Sequence, residues 1–354
     1  GSIARVDALG RLLVGPRSAG AAPGPVCYGA GGAEPTVTDA DLSLGRIDPA
    51  RFSSAVTIEP AAAERAIQEL IGDPLGLDLD SAAFAISEIV DENMASAARV
   101  HAIESGKSVE ARTMIAFGGA APLHAARVAL KLGMRRVLVP AQAGVGSAVG
   151  FLAAAQAFEQ AQSWFVSLDA FDPEPPNALM DQIARAARAL LGEGVFTEKR
   201  RAYMRYRGQG HEIAVVLPDG ALDAASAPAL RDAFEARYAQ LFGRAIPGVP
   251  VEALTWSVRV ERQDLRHGLA ASVVREPAAA GAAAMRIVFD PSASLRIPYE
   301  VHGRAALMPG ERRAGPCLIA EAQTTTVCPR GFDLSVLADG SLLLEQRTEA
   351  VDRT

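Results

Sequence analysis

Arg112 to Phe117, then Gly118-Gly119-Ala120-Ala121, then Pro122 to Leu132 read as a strand, a tight turn and a helix. Glycine lets a backbone come close to a flat ring or a phosphate, and the next helix presents N–H groups with no intrahelical partner. The pattern is neither G-x-G-x-x-G nor a P-loop, and an ordinary tight turn between strand and helix has the same composition. His124 follows Gly119 by about one helical turn. There an imidazole can meet a ligand at the helix start, or act as a structural hydrogen-bonder.

A second candidate runs YGAGGAEPTVTD from Tyr28 to Asp39. Thr36, Thr38 and Asp39 place two hydroxyls and a carboxylate just after a glycine run, a set able to hold a metal-bound phosphate or orient a water. The same residues are also the N-cap expected of a helix at Ala40 to Leu44. Cys27, beside Tyr28, is a metal ligand or nucleophile on one reading and a small buried hydrophobe on the other. No CxxC or HxxxH spacing supports a zinc site. Cys317 and Cys328 fall in a β-rich tail and read as structural. Neither a Ser/His/Asp order nor a G-x-S-x-G elbow is visible.

The elements that must position these residues divide the chain. Short strands at Ile3 to Asp7 and Arg11 to Val14 are joined by a turn ending at Gly10, and a Gly/Pro-rich stretch follows to residue 58. Helices are expected from Pro60 to Ile71 and, with Ser81 as N-cap, to about Ser105, where Gly106 makes a stop. The strand–turn–helix at 112–132 continues into a strand at Arg136 to Pro140 and a helix at Val145 to Ala155. That alternation indicates an α/β layer with parallel pairing. Pro173-Glu174-Pro175-Pro176 reads as a boundary, so the expected domains are 1–172 and 173–354, with Trp164 to Leu168 a strand that pairs back onto the first. The second is a β-rich α+β domain with helices at Ala178 to Leu191 and Ala227 to Phe242. Its low-complexity run from Pro277 to Ala284 reads as an exposed connector.

With 354 residues the chain has room for two domains. Hydrophobic residues make up 49% and charged ones 21%, as in a globular chain, and 35 Lys+Arg against 41 Asp+Glu leave a net charge of −6. That balance argues against nucleic acid or an anionic membrane as partner. No apolar run approaches the roughly 20 residues of a membrane span. Three cysteines cannot build a disulfide framework, which points to a reducing, cytoplasmic setting.

Gly1 to Phe52 resembles the hydantoinase A/5-oxoprolinase family closely. So do IAFGGAAPLHAARVALKLGMRRVLVPAQAGVGSAVGFLAA (Ile115 to Ala155), MRYRGQGHEIAV (Met204 to Val215), FEARYAQLFGR (Phe234 to Arg244) and GPCLIAEAQTTTVCPRG (Gly315 to Gly331). The resemblance runs in order along nearly the whole chain. It implies part of an actin/hexokinase/Hsp70-like ATPase lobe, followed by the β-rich domain, with ATP and Mg2+ or Mn2+ as cofactors. It implies an ATP-dependent opening of cyclic amides such as hydantoins, 5-oxoproline or lactams, or the activation of a ketone for carboxylation. By the same likeness Gly118, Gly119 and Ala120 contact the nucleotide; from the residue types alone, Thr38, Asp39 and His124 are candidate metal or substrate contacts. The family's usual turn reads Gly-Gly-Ala-Gly-Pro, whereas Ala121 stands before Pro122 here, a methyl that crowds the ligand if the position needs positive φ. The family's Asp-Gly-Gly-Thr phosphate loops are absent, so the chain is expected to be the carboxyl-terminal half of an A-type polypeptide. Its partners would be the amino-terminal half and a B-type subunit.

Overall fold

Ser2–Val6 (β1) and Leu12–Ser18 (β2) pair antiparallel, and Ile3 also bridges to Thr36. Thr36 starts the first helix, α1 (Val37–Ser43). The computed structural model describes residues 1–50, 57–263 and 284–347. Pro60 opens α2 (Pro60–Ile67), as a first-turn proline can. The helix then widens into a π turn, Gln68–Gly72, and ends in α3 (Asp73–Leu75), slightly beyond the expected Ile71. The long helix is α4 (Leu79–Glu104), whose cap is Asp78 rather than Ser81: the Asp78 carboxylate accepts the Ser81 N–H at 2.8 Å. Gly106 follows it at φ +62. Next come β3 (Thr113–Ile115), α5 (Ala121–Lys131), β4 (Arg136–Val139) and α6 (Gly146–Ala153). β3 and β4 pair in parallel, as the alternation predicts.

The chain then builds a compact unit of its own, Leu152–Ala271. Its strands β5 (Ala157–Ser167), β6 (Phe196–Tyr206), β7 (Ile213–Val216) and β8 (Val251–Arg262) form one antiparallel sheet in the order β5-β8-β6-β7. Helices α7 (Glu174–Leu191) and α8 (Ser226–Phe242) complete its core, with Met180, Ile183, Leu230 and Phe234 packed among Met204, Tyr206, Trp256 and Val258. The strand around Trp164 therefore pairs with β8, not with the first part of the chain. The Pro-rich run expected as a boundary is the first turn of α7, where prolines cost no hydrogen bond.

The last strands return to the other unit, made of Gly1–Phe151 and Ser272–Thr354. β9 (Ala284–Asp290) and β10 (Leu295–Gly303) join β12 (Cys317–Ala320) and β13 (Thr325–Cys328) in the order β13-β12-β10-β9. β11 (Arg312–Ala314), β14 (Phe332–Val336) and β15 (Leu342–Gln346) extend the parallel pair into a five-stranded sheet, β11-β14-β15-β4-β3. Leu342 lies opposite Val139 and Leu344 opposite Val137, all four buried. This pairing replaces the expected division at residue 172. The carboxyl-terminal strands supply hydrogen-bond partners and apolar cover that the short β3–β4 pair lacks. The low-complexity run lies outside the described residues except for Ala284, which begins β9.

Candidate functional site

Between β3 and α5 the turn at Gly118 takes φ +107, a conformation that all but excludes other residues. The Gly118 N–H donates to the Ala143 carbonyl at 2.7 Å. On the other side the Thr324 hydroxyl donates to the Gly119 carbonyl at 2.8 Å. A Cβ on Gly118 would meet nothing within 4 Å, and one on Gly119 only the Gln323 carbonyl at 3.5 Å. The turn therefore presents open backbone at the start of α5, where N–H groups lack intrahelical partners. Ala121 begins α5 without positive φ, so its methyl strains nothing.

A cleft of about 50 Å³ opens beside this turn. Ile47, Leu123 and Ala320 make its apolar wall, and Asp48, Glu321, Gln323 and Thr324 its polar side. Burial raises the Glu321 carboxyl above the usual carboxylate range, with the Arg304 guanidinium 3.4 Å away pulling the other way. Asp48 is paired with Arg286.

His124 lies on the buried face of α5, directly behind the cleft-lining Leu123 in sequence. Its Nδ1 is 2.8 Å from Asp91 of α4 and its Nε2 is 3.0 Å from Asp41 of α1. Asp41 also accepts from Arg46 at 2.9 Å, and the same Arg46 nitrogen donates to the Ser87 hydroxyl at 2.6 Å. All five residues are buried. Burial by itself would lower the His124 pKa, but attraction to Asp41 and the hydrogen bonds to both carboxylates push it up to about 9. Burial likewise opposes ionisation of Asp41, and His124 and Arg46 together bring its pKa below the usual value. Gly45 makes the arrangement possible: at φ +82 it lets the end of α1 run against the Ile287 carbonyl of β9, where a side chain would collide.

Asp39 has a different environment. Its carboxylate accepts from the N–H groups of Val26, Cys27 and Thr36 and from the Thr36 hydroxyl, at 2.8–3.2 Å. Those four bonds match the capacity of an ionised carboxylate. Thr36 in turn accepts the Asp39 N–H, completing a capping box on α1. Thr38 is half-buried, with its hydroxyl close to Gly1. Burial, with Asp39 nearby, raises the Cys27 thiol far above its ordinary range, so it behaves as a small apolar side chain rather than a nucleophile. The expected set of Thr38, Asp39 and His124 is thus not one site: Asp39 and His124 face separate protein partners, and neither keeps a donor atom for a metal or substrate. Cys317 and Cys328, both buried, lie opposite each other across β12 and β13. Among the described residues no group of three His, Cys, Asp or Glu side chains is placed to hold a metal ion.

Sequence reading passed over Asp41, Arg46, Ser87 and Asp91. The usable signal was on α4, where Ala83, Ser87, Asp91 and Ala95 recur every four residues on one face. A carboxylate on an otherwise small and apolar helix stripe needs a buried partner.

Residues 1–160 match the sequence profile described as hydantoinase/oxoprolinase. Caprolactamase subunit alpha from Pseudomonas jessenii is 35% identical over 347 residues, covering 95% of this chain and 50% of that one. Acetophenone carboxylase gamma subunit from Aromatoleum aromaticum is 53% identical over 128 residues, 36% of this chain and 18% of that one. The crystal structure of the ATP-dependent caprolactamase from P. jessenii superposes with a TM-score of 0.73 at 32% identity, over 98% of this chain and 52% of that one. The mixed α/β fold is therefore similar to that of the caprolactamase. The chain spans about half the length of the caprolactamase alpha subunit.

Proposed function

The chain belongs to the hydantoinase/oxoprolinase family, and on that premise we propose that it forms the nucleoside-contacting part of an ATP-dependent enzyme that opens a cyclic amide. It would be the carboxyl-terminal half of an A-type polypeptide, with the unit that contains Gly1–Phe151 contributing to an actin-like ATPase lobe. It would work in the cytoplasm beside an amino-terminal half and a B-type subunit. The observation that carries this reading is the open Gly118–Gly119–Ala120 backbone beside a cleft with an apolar wall and a polar rim.

Leu123 and Ile47 suit the face of a base, and Gln323 offers both a donor and an acceptor for its edge. Thr324 holds the Gly119 carbonyl, which fixes how closely the backbone approaches. Asp48 and Glu321 on the polar side are already paired with Arg286 and Arg304, so the cleft suits the neutral nucleoside better than its phosphates. ATP, when bound, supplies a phosphoryl group that turns a poor amide electrophile into one open to water. Among the described residues no three candidate ligands are grouped for Mg2+ or Mn2+, and Asp48 is paired with Arg286, so the described residues are given no metal-binding role.

Caprolactamase, similar over nearly the whole chain, favours amide opening. A second reading, activation of a ketone for carboxylation, is favoured by the 53% identity to an acetophenone carboxylase subunit over 128 residues. ATP turnover by the assembled complex decides between them. Turnover with hydantoins, 5-oxoproline or lactams is expected, and turnover with a ketone plus bicarbonate alone would overturn amide opening. A third role, as an assembly module without nucleotide contact, predicts no calorimetric binding of ATP or AMP even in the assembled complex.

A further inference from the structure

The turn that faces the cleft rests on one short helix; ion pairs from Arg127 and Lys131 to Glu88 and Glu92 tie the later part of that helix to α4, and at its buried first turn the His124 ring meets both α1 and α4. A neutral imidazole has one N–H donor and one bare acceptor nitrogen, whereas a carboxylate only accepts. Both nitrogens of His124 lie within 3.0 Å of a carboxylate oxygen. With Asp41 and Asp91 ionised, only a doubly protonated ring satisfies both contacts. The charges then close, two carboxylates against one imidazolium and the Arg46 guanidinium, in a site water does not reach.

We propose that the His124 imidazolium, held between Asp41 and Asp91, is a positioning residue that sets the first turn of α5 and with it the Gly118–Ala120 backbone. Leu123, next to His124, lines the cleft, so a shift of α5 relative to α1 and α4 moves the cleft wall as well. The link to catalysis rests on the nucleotide reading, whereas the positioning of the turn does not. Other charged groups between these helices act nearer the surface and further along α5: Glu88 and Glu92 of α4 pair with Arg127 and Lys131, while Tyr299 on β10 donates to Asp290.

The test uses the 354-residue chain with 15N-labelled histidine and amide hydrogen exchange. Both ring nitrogens of His124 are expected to stay protonated from pH 6 to about 8; a bare nitrogen at pH 7 would overturn the proposal. In His124→Gln, the hydrogen-bonded amides of Gly118 and Leu123 should exchange at least about tenfold faster, while the β6–β8 ladder of the other unit is unchanged. Adding Asp91→Asn restores charge balance and should bring exchange back to within about threefold of the parent. Unchanged exchange in the single variant, or a double variant that does not fold, would each overturn the proposal. Calorimetry with AMP separates the two readings. A parent chain, complexed with its partners, that binds no AMP yet shows the expected ring and exchange behaviour sinks the nucleotide reading and leaves the positioning role standing.

Discussion

Asp39 and Asp41 sit two residues apart on α1, and each is buried, yet they are stabilised in different ways. Asp39 is solvated by backbone N–H groups and a hydroxyl, a local solution that needs only its own loop and helix start. Asp41 is compensated by full charges, Arg46 just past the end of α1 and, from a distant part of the chain, the His124 of α5. A carboxylate held by amides is insensitive to neighbouring titrations, whereas one held by an imidazolium is only as secure as that proton. The glycine turn at 118–120 depends on the second kind of support.

Removing either support breaks the comparison most severely. His124→Gln should cost about 3–5 kcal/mol, because it leaves a buried carboxylate uncompensated; denaturant unfolding of the purified chain measures it. Asp39→Ala strands several buried N–H groups, but at single-hydrogen-bond magnitudes a loss of about 2–4 kcal/mol is expected. A larger loss for Asp39→Ala than for His124→Gln would erase the distinction between dipolar and ionic compensation.

Titration sharpens it further. His124 has its pKa raised on folding, so its contribution is fully present below about 6.5 and is lost as pH rises through about 9. Asp41 has a lowered pKa and contributes above its unfolded value of 3.8, so its share is lost as pH falls. Thermal melts of the parent should therefore weaken above pH 6.5. A variant lacking His124 should lose that alkaline slope. The same slope in both would assign it to other groups.

The smallest effects are expected at the turn. Gly118→Ala forces a side chain into φ +107 and should cost about 1–2 kcal/mol in the same unfolding assay. Gly119→Ala has ordinary backbone and a contact of 3.5 Å, so stability should move by less than about 0.5 kcal/mol. Its expected consequence lies in nucleotide affinity, which Gly119→Val should abolish in calorimetry. Unaltered binding in Gly119→Val would remove the turn from the site.

Much of this architecture was legible in the chain. The hairpin β1–β2, the long α4 and the β3–α5–β4 unit follow from alternation, 3.6-residue spacing and glycine stops, all of them local signals. Capping was only half legible. Thr36 and Asp39 read as a cap or as ligands and proved to cap a helix that starts at Val37 rather than Ala40, whereas Asp78 displaced Ser81 because an aspartate three residues earlier starts the helix there and accepts the Ser81 N–H. Pro173 to Pro176 misled, since proline marks a helix start as readily as a linker.

What the sequence determined by itself was the family, the order of elements and the glycines that a left-handed turn demands, because each is encoded in residues near one another. The tertiary structure alone decided where the carboxyl-terminal strands go and what the buried charges do. β15 finds β4 across some 200 residues of chain, and Asp41, Asp91 and His124 meet from three separate helices. No local spacing records such meetings. They are fixed when apolar burial brings the helices together and a buried charge must then find its counter-charge among what has arrived.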